Sequence, residues 1–161
     1  MKGLTTKEQQ IVDAIINYTS AYGYSPSMKE LLPTTGVTST SSMYKYIQIL
    51  KTKGALKSTE KECRTFQVVG YGYVDCRSEE EKQLPGETYA RTLEAISNFL
   101  LTKGYPPSMR DLCNATGLKS TSTIYAHLDY LQRMQKITLR GNSSRAIVVN
   151  GIIYQRLEES I

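Results

Sequence analysis

The sequence is poor in the residues that build metal, redox and disulfide sites. It has no tryptophan, one histidine and three cysteines among 161 residues, and no Cys-x-x-Cys pair. An odd number of cysteines disfavours a disulfide framework. The only histidine, His127, has no cysteine near it in sequence that would help to form a zinc site. We therefore expect reduced thiols, no metal and no cofactor.

Long apolar runs and catalytic motifs are also missing. No run of about 18 apolar residues exists, which disfavours a membrane-spanning helix. Residues 1–6 lack the apolar stretch of a signal peptide. There is no P-loop, no Gly-x-Ser-x-Gly sequence and no distinctive pair of carboxylates. We expect a cytoplasmic protein that has no membrane partner and is not an enzyme.

What the sequence does contain is a repeat. Residues 23–28 (GYSPSM) return at 104–109 as GYPPSM, an offset of 81 positions. The serine- and threonine-rich residues 36–41 return at the same offset, which persists without a gap to Arg64 and its equivalent, Arg145. Self-similarity at a fixed offset indicates a duplicated unit. The sequence therefore predicts two small domains of similar fold.

The repeat and the charge distribution suggest the domain boundaries. We predict a first domain over 1–70, a linker over 71–86, a second domain over 87–151 and a tail over 152–161. The first domain has nine basic and five acidic side chains, a net charge of +4. The linker has two basic and four acidic (−2), and residues 87–161 have nine and six (+3). Two basic modules flanking an acidic connector suit a polyanion partner.

Each copy carries the pattern of three helices followed by a β-hairpin. Apolar side chains at helical spacing mark the first helix in the two copies: Val12, Ile15 and Tyr18, and Leu93, Ile96 and Phe99. Thr5 with Glu8 predicts a capping box for the first helix of the first copy. Serines suited to N-caps begin the second and third helices, and an acid, Glu30 or Asp111, follows the first of them three residues later: Ser27 and Ser39, and Ser108 and Ser120. Two short β-like segments then flank a polar tip in each copy: 55–58 and 64–69, and 137–140 and 145–149. The predicted fold is mainly α with small β wings, arranged as two winged helix-turn-helix domains in tandem.

The third helix has a polar face opposite its apolar stripe. The stripe is Met43, Ile47 and Leu50 in the first copy, and Ile124, Leu128 and Leu131 in the second. In the first copy the opposite face and its edges hold short polar side chains and a tyrosine: Ser41, Ser42, Tyr44, Lys45 and Gln48. The equivalent set in the second copy is Ser122, Thr123, Tyr125, Ala126 and Asp129. Such a face fits a major groove, where short polar groups reach base edges and phosphates; an ordinary solvated helix face is the alternative.

Hydroxyl groups crowd the start of this helix in both copies. The residues are Ser39, Thr40, Ser41 and Ser42, and Ser120, Thr121, Ser122 and Thr123. Free backbone N–H groups and the positive end of the helix dipole favour a phosphate there. Capping requires only one of these hydroxyls, so the run predicts a phosphate contact.

Basic side chains near the wing are further candidates. The pattern places Arg64 and Arg145 at the start of the last strand, within reach of a phosphate or a minor groove; a surface arginine at a strand end is the alternative. Lys53 lies near the end of the third helix, where a cation also favours the negative end of the dipole.

These residues resemble the DNA-binding domain of the LexA repressor family. The features that carry the resemblance are the Gly-Tyr-Pro-Pro-Ser turn at 104–108, the Ser-Thr-Ser-Thr run at 120–123 that leads to His127, and Lys53-Gly54 followed by Arg64. The two copies together cover about 135 of the 161 residues. The resemblance implies a bacterial or phage-type, nucleoid-associated regulator, repressor-like, that binds double-stranded DNA.

The resemblance also implies that the third helix reads the major groove and that the wing contacts the backbone. The residues at the recognition positions are Ser39, Ser41, Ser42, Tyr44 and Lys45, and Ser120, Ser122, Thr123, Tyr125 and Ala126. Family repressors carry a self-cleaving peptidase domain that dimerises them, and we expect no such domain in 161 residues.

A covalent duplication would replace that dimer. We expect a monomer that acts as a pseudo-dimer, or a weak homo-oligomer. Its half-sites should be non-identical, because Lys45 aligns with Ala126 and Gln48 with Asp129. A module or antagonist that binds a protein partner and has lost DNA binding stays open, since Asp129 and the acidic connector favour it.

Overall fold

The computed structural model of the chain describes residues 3–59, 62–141 and 144–158. They form two compact units. Unit 1 comprises Met1–Gly72 and Tyr154–Ile161, and unit 2 comprises Tyr73–Ile153. Among the described residues, every helix is too short or too polar to cross a membrane.

Unit 1 is a helix-turn-helix with a small wing. Its elements are α1 (Thr6–Tyr22), α2 (Met28–Thr35), α3 (Thr40–Thr52), β1 (Leu56–Lys57) and β2 (Gln67–Val68). Strands β1 and β2 are antiparallel, with Leu56 opposite Val68. The predicted capping box of Thr5 with Glu8 is confirmed at α1. Each such box satisfies two backbone donors that the helix leaves unpaired.

The core of unit 1 lies where the three helices and the wing meet. Its fully buried large side chains come from all three helices: Ile11, Ile15, Leu31, Met43, Ile47 and Leu50. Val68 of β2 joins the same cluster. The predicted apolar stripe of the third helix is therefore confirmed, and this burial fixes which face of α3 points outward.

Unit 2 repeats this order after one additional short helix, α4 (Glu79–Lys82). The repeated elements are α5 (Glu87–Lys103), α6 (Met109–Thr116), α7 (Thr121–Arg133), β4 (Ile137–Leu139) and β5 (Ile147–Val149). Strands β4 and β5 are antiparallel, with Thr138 opposite Val148. The buried stripe of α7 is Ile124, Leu128 and Leu131, as predicted.

The predicted linker and tail contain regular structure. The linker region holds β3 (Tyr71–Asp75) and α4, and the tail holds β6 (Ile152–Arg156). In unit 1, the Leu157 N–H donates to the Gly70 carbonyl at 2.8 Å. In unit 2, the Cys76 N–H donates to the Gly151 carbonyl at 2.9 Å. Residues 73–86 of the predicted linker are therefore part of unit 2, and the described residues from Tyr154 onward are part of unit 1.

Candidate nucleic-acid interface

The third helix of unit 1 presents its polar face to solvent. Thr40, Ser41 and Lys45 are exposed, whereas Ser42 and Gln48 are half-buried. Tyr44 is 48% exposed although it is a large aromatic side chain. The residues predicted as a DNA-reading face thus lie together on one side of α3, opposite its buried stripe.

The start of α3 uses one of its hydroxyl groups as a cap. The Ser39 hydroxyl accepts from the Ser42 N–H at 3.1 Å and donates to the Ser42 hydroxyl at 3.0 Å. The hydroxyls of Thr40 and Ser41 lie on exposed residues beside it. The helix start therefore keeps hydroxyl groups at the surface beyond the one that caps it.

The third helix of unit 2 has a similar but less basic face. Thr121, Ser122, Thr123 and Ala126 are exposed, and Tyr125 is 57% exposed. Here Ser120 makes no side-chain hydrogen bond to cap α7. Capping therefore does not account for this serine.

The two faces differ most in charge. Lys45 of α3 has an alanine, Ala126, as its counterpart on α7. Asp129, the counterpart of Gln48, forms an exposed ion pair with Arg133 one turn later at 2.8 Å. The Asp129–Arg133 pair has no net charge, and Ala126 has none. The polar face of α7 therefore lacks the positive charge that Lys45 gives to the face of α3.

A groove separates α3 from the wing of unit 1. Its volume is about 400 Å³. The helix contributes Tyr44 and Gln48, and the wing contributes Ser58, Cys63 and Phe66. The exposed polar face of α3 and the wing are thus neighbouring surfaces, which is the arrangement that a winged helix needs to contact one duplex.

Lys53 lies at the C-cap of α3 and contacts α1. Its ammonium donates to the Glu8 carboxylate at 2.7 Å and to the Gly3 carbonyl at 2.8 Å. The hydrogen bond from Lys53 and that from the Thr5 backbone hold the pKa of Glu8 below its ordinary value. The Lys53 ammonium, which the sequence made a candidate for DNA contact, is therefore paired with a carboxylate of its own unit.

The predicted wing arginines differ from the sequence expectation in two respects. Arg64 and Arg145 lie in turns before β2 and β5, with φ of 60° and 58°. They are also 8% and 5% exposed. Neither begins a strand and neither lies at the surface, because each guanidinium points into its own unit.

Arg64 binds the carboxylate that caps α2. Its Nη1 and Nη2 atoms donate to the two Glu30 oxygens at 2.7 and 2.9 Å. Glu30 is the third residue of α2 and accepts the Ser27 N–H at 2.7 Å. Burial would raise the pKa of Glu30, but hydrogen bonds from Arg64 and Ser27 lower it to about 2. The pair is therefore ionised at neutral pH.

Arg145 repeats this arrangement in unit 2. Its Nη1 donates to the Asp111 carboxylate at 2.8 Å, and Asp111 accepts the Ser108 N–H at 2.8 Å. Burial would raise the pKa of Asp111, but the bonds from Ser108 and the charge of Arg145 lower it. Sequence reasoning predicted these acids only as helix caps; the signal it missed is an acid and an arginine kept 34 positions apart in both copies.

Comparison with known proteins gives a family match and several similar repressors. The family model described as LexA DNA binding domain matches residues 1–65 and 87–146. The LexA repressor of Clostridioides difficile (strain 630) is 44% identical over 57 residues, covering 35% of this chain and 27% of that protein. That of Moorella thermoacetica is 45% identical over 60 residues, covering 37% and 29%. That of Corynebacterium jeikeium is 37% identical over 81 residues, covering 47% and 30%. The matches span less than a third of the length of each of these relatives.

Proposed function

The chain belongs to the LexA DNA binding domain family, and from this we propose that it is a double-stranded DNA-binding transcriptional regulator of the repressor type. The observation that carries the proposal is that the family model matches both segments, each with an exposed polar face on its third helix. Helices α3 and α7 enter the major groove with those faces, and the wings lie along the backbone.

The contact residues fall into two groups. Hydroxyl groups at the helix starts contact phosphates: Ser39, Thr40, Ser41 and Ser42, and Ser120, Thr121, Ser122 and Thr123. Side chains further along read base edges: Tyr44, Lys45 and Gln48 on α3, and Tyr125 and Ala126 on α7. The Lys45 ammonium also contacts a phosphate. Arg64 and Arg145 are left out because they are buried, and Lys53 because it bridges to α1.

Two modules in one chain give a pseudo-dimer. We propose that the repeat arose by duplication and that one molecule spans two half-sites. Tethering supplies an effective concentration on the order of mM for the second module once the first has bound. The half-sites are related but non-identical, since Lys45 and Ala126 occupy equivalent positions.

The competing function is binding of a protein partner. Asp129, exposed on the reading face of α7, is the observation that favours it. Salt distinguishes the two functions: phosphate-driven binding weakens steeply as salt rises, whereas a protein interface that excludes charge does not.

Selection from random duplex DNA tests the proposal. We expect the whole chain to enrich two unequal half-sites at a fixed spacing. The matched variants are Tyr44→Ala and Tyr125→Ala, each of which should erase one half of the enriched sequence. No enrichment by the whole chain at low salt would rule out sequence-specific DNA binding; a perfect palindrome would rule out unequal readers.

A further inference from the structure

The two buried arginines occupy a costly backbone conformation. A positive φ is uncommon for any residue other than glycine, and is best tolerated by asparagine and aspartate. Both copies nevertheless have an arginine there, at φ of 60° and 58°. Burying a guanidinium adds a desolvation cost that only close ionic partners offset. A residue held at such a position in both copies is there for what its side chain binds.

In unit 1 the side chain joins the wing to the helix-turn-helix. Besides Glu30, the Arg64 guanidinium donates to the Ser25 carbonyl at 3.3 Å and lies 5.0 Å from the centre of the Tyr24 ring. These partners precede α2 or lie in its first turn, whereas Arg64 itself lies three residues before strand β2 of the wing. One side chain therefore fixes the base of the wing to the start of the helix-turn-helix.

Unit 2 contains the same set of contacts. Arg145 donates to the Pro106 carbonyl at 3.1 Å and lies 5.0 Å from the centre of the Tyr105 ring. Pro106 and Tyr105 are the repeat equivalents of Ser25 and Tyr24, two and three residues before the N-cap. We call each set the wing clasp: Arg64 with Glu30 in unit 1, and Arg145 with Asp111 in unit 2.

We propose that Arg64 and Arg145 are positioning residues: they do not touch DNA, but hold each wing beside its recognition helix so that both contact one duplex. The proposal rests on the proposed DNA-binding function and assigns a role within it. Its consequence is that the carboxylates Glu30 and Asp111 promote DNA binding although they carry the same charge as DNA.

Glu30→Gln separates this role from a direct phosphate contact. If Arg64 bound a phosphate, removing the neighbouring negative charge would leave affinity unchanged or raise it. The clasp predicts the opposite, a loss of about tenfold in specific affinity, while glutamine keeps the ability to cap α2. Asp111→Asn is the matched variant for unit 2.

Arg64→Gln and Arg64→Lys supply the second test. Lysine keeps the charge but lacks the fork that binds both carboxylate oxygens, so both variants should bind about equally weakly. Hydroxyl-radical footprints should lose protection at the wing phosphates of one half-site and keep it at α3.

Amide exchange measured without DNA tests the wing clasp independently of the proposed DNA-binding function. In Arg64→Gln, amide exchange should accelerate more in Gln67 and Val68 of the wing than in α3. If the wild type binds no duplex, the proposed function fails while this result still supports the clasp. Unchanged wing exchange, or a Glu30→Gln variant that binds DNA as well as the wild type, would each overturn the clasp.

Discussion

The hydroxyl of Thr92 lies 2.8 Å from Nδ1 of His127, and both side chains are buried in unit 2. Tyr89 packs against the same imidazole, with ring centroids 5.0 Å apart. The positions of unit 1 that are equivalent to Thr92 and His127 hold Ile11 and Tyr46. The two units thus share a scaffold but not the chemistry of this contact, and the lone histidine has a structural role in the core.

Thr92→Val should destabilise unit 2. Valine matches threonine in shape but leaves the imidazole nitrogen without its buried partner, a loss of roughly 1–3 kcal/mol. Amide exchange in α7, measured at increasing denaturant concentration, would give the loss in the free energy of unfolding of unit 2. Thr102→Val, on the exposed side of the same helix, is the control; equal effects of the two substitutions would contradict the prediction.

Acid should weaken unit 1 through Glu30. Its pKa in the folded protein is about 2, below the ordinary 4.5, so the ion pair contributes stability that is complete above about pH 5 and is lost as the pH falls toward 2. We expect the denaturation midpoint of unit 1 to fall more steeply over this range in the wild type than in Glu30→Gln. Because the pKa of Asp75 in unit 2 is also lowered to about 2, the readout must be exchange in α3 and not global unfolding. Parallel curves for the two proteins would refute the effect.

Loss of either exposed tyrosine should weaken DNA binding without unfolding the chain. Tyr44 and Tyr125 are about half exposed, so Tyr44→Ala and Tyr125→Ala remove little core packing. A lost base contact corresponds to roughly 1–3 kcal/mol, or about tenfold or more in affinity. Fluorescence anisotropy with the selected duplex measures the loss. Tyr22→Ala, which removes a tyrosine 46% exposed on α1, should bind like the wild type.

Lys45 of α3 and Ala126 of α7 occupy equivalent positions, so exchanging these two residues should move one positive charge from the polar face of α3 to that of α7. Lys45→Ala should lower the slope of log affinity against log salt by about one phosphate contact, and Ala126→Lys should raise it by about one. Selection experiments with the two variants should alter opposite half-sites. A Lys45→Ala slope identical to that of the wild type would show that this ammonium contacts no phosphate.

Local sequence patterns predicted more of this molecule than the charges did. The capping boxes at Thr5 and Ser27 depend on residues three positions apart, and the buried stripes depend on helical periodicity. These features are encoded within one or two turns. They were sufficient to place the helices and the polar faces of α3 and α7.

Local patterns did not predict that the two wing arginines are buried. Arg64 and Glu30 are 34 positions apart, and the guanidinium turns inward only because φ is positive at that turn. A side chain that looks like a surface cation in sequence is therefore buried. The strands in the linker and tail were missed for a similar reason: their backbone hydrogen bonds join residues such as Gly70 and Leu157, which no local pattern connects.

The discontinuity of unit 1 has a consequence for biosynthesis. Its chain includes Tyr154–Ile161, whereas unit 2 is the continuous segment Tyr73–Ile153. Domains fold during translation as their residues emerge, so a ribosome delivers every residue of unit 2 before the last strand of unit 1. The first module to be synthesised is therefore the last whose chain is complete.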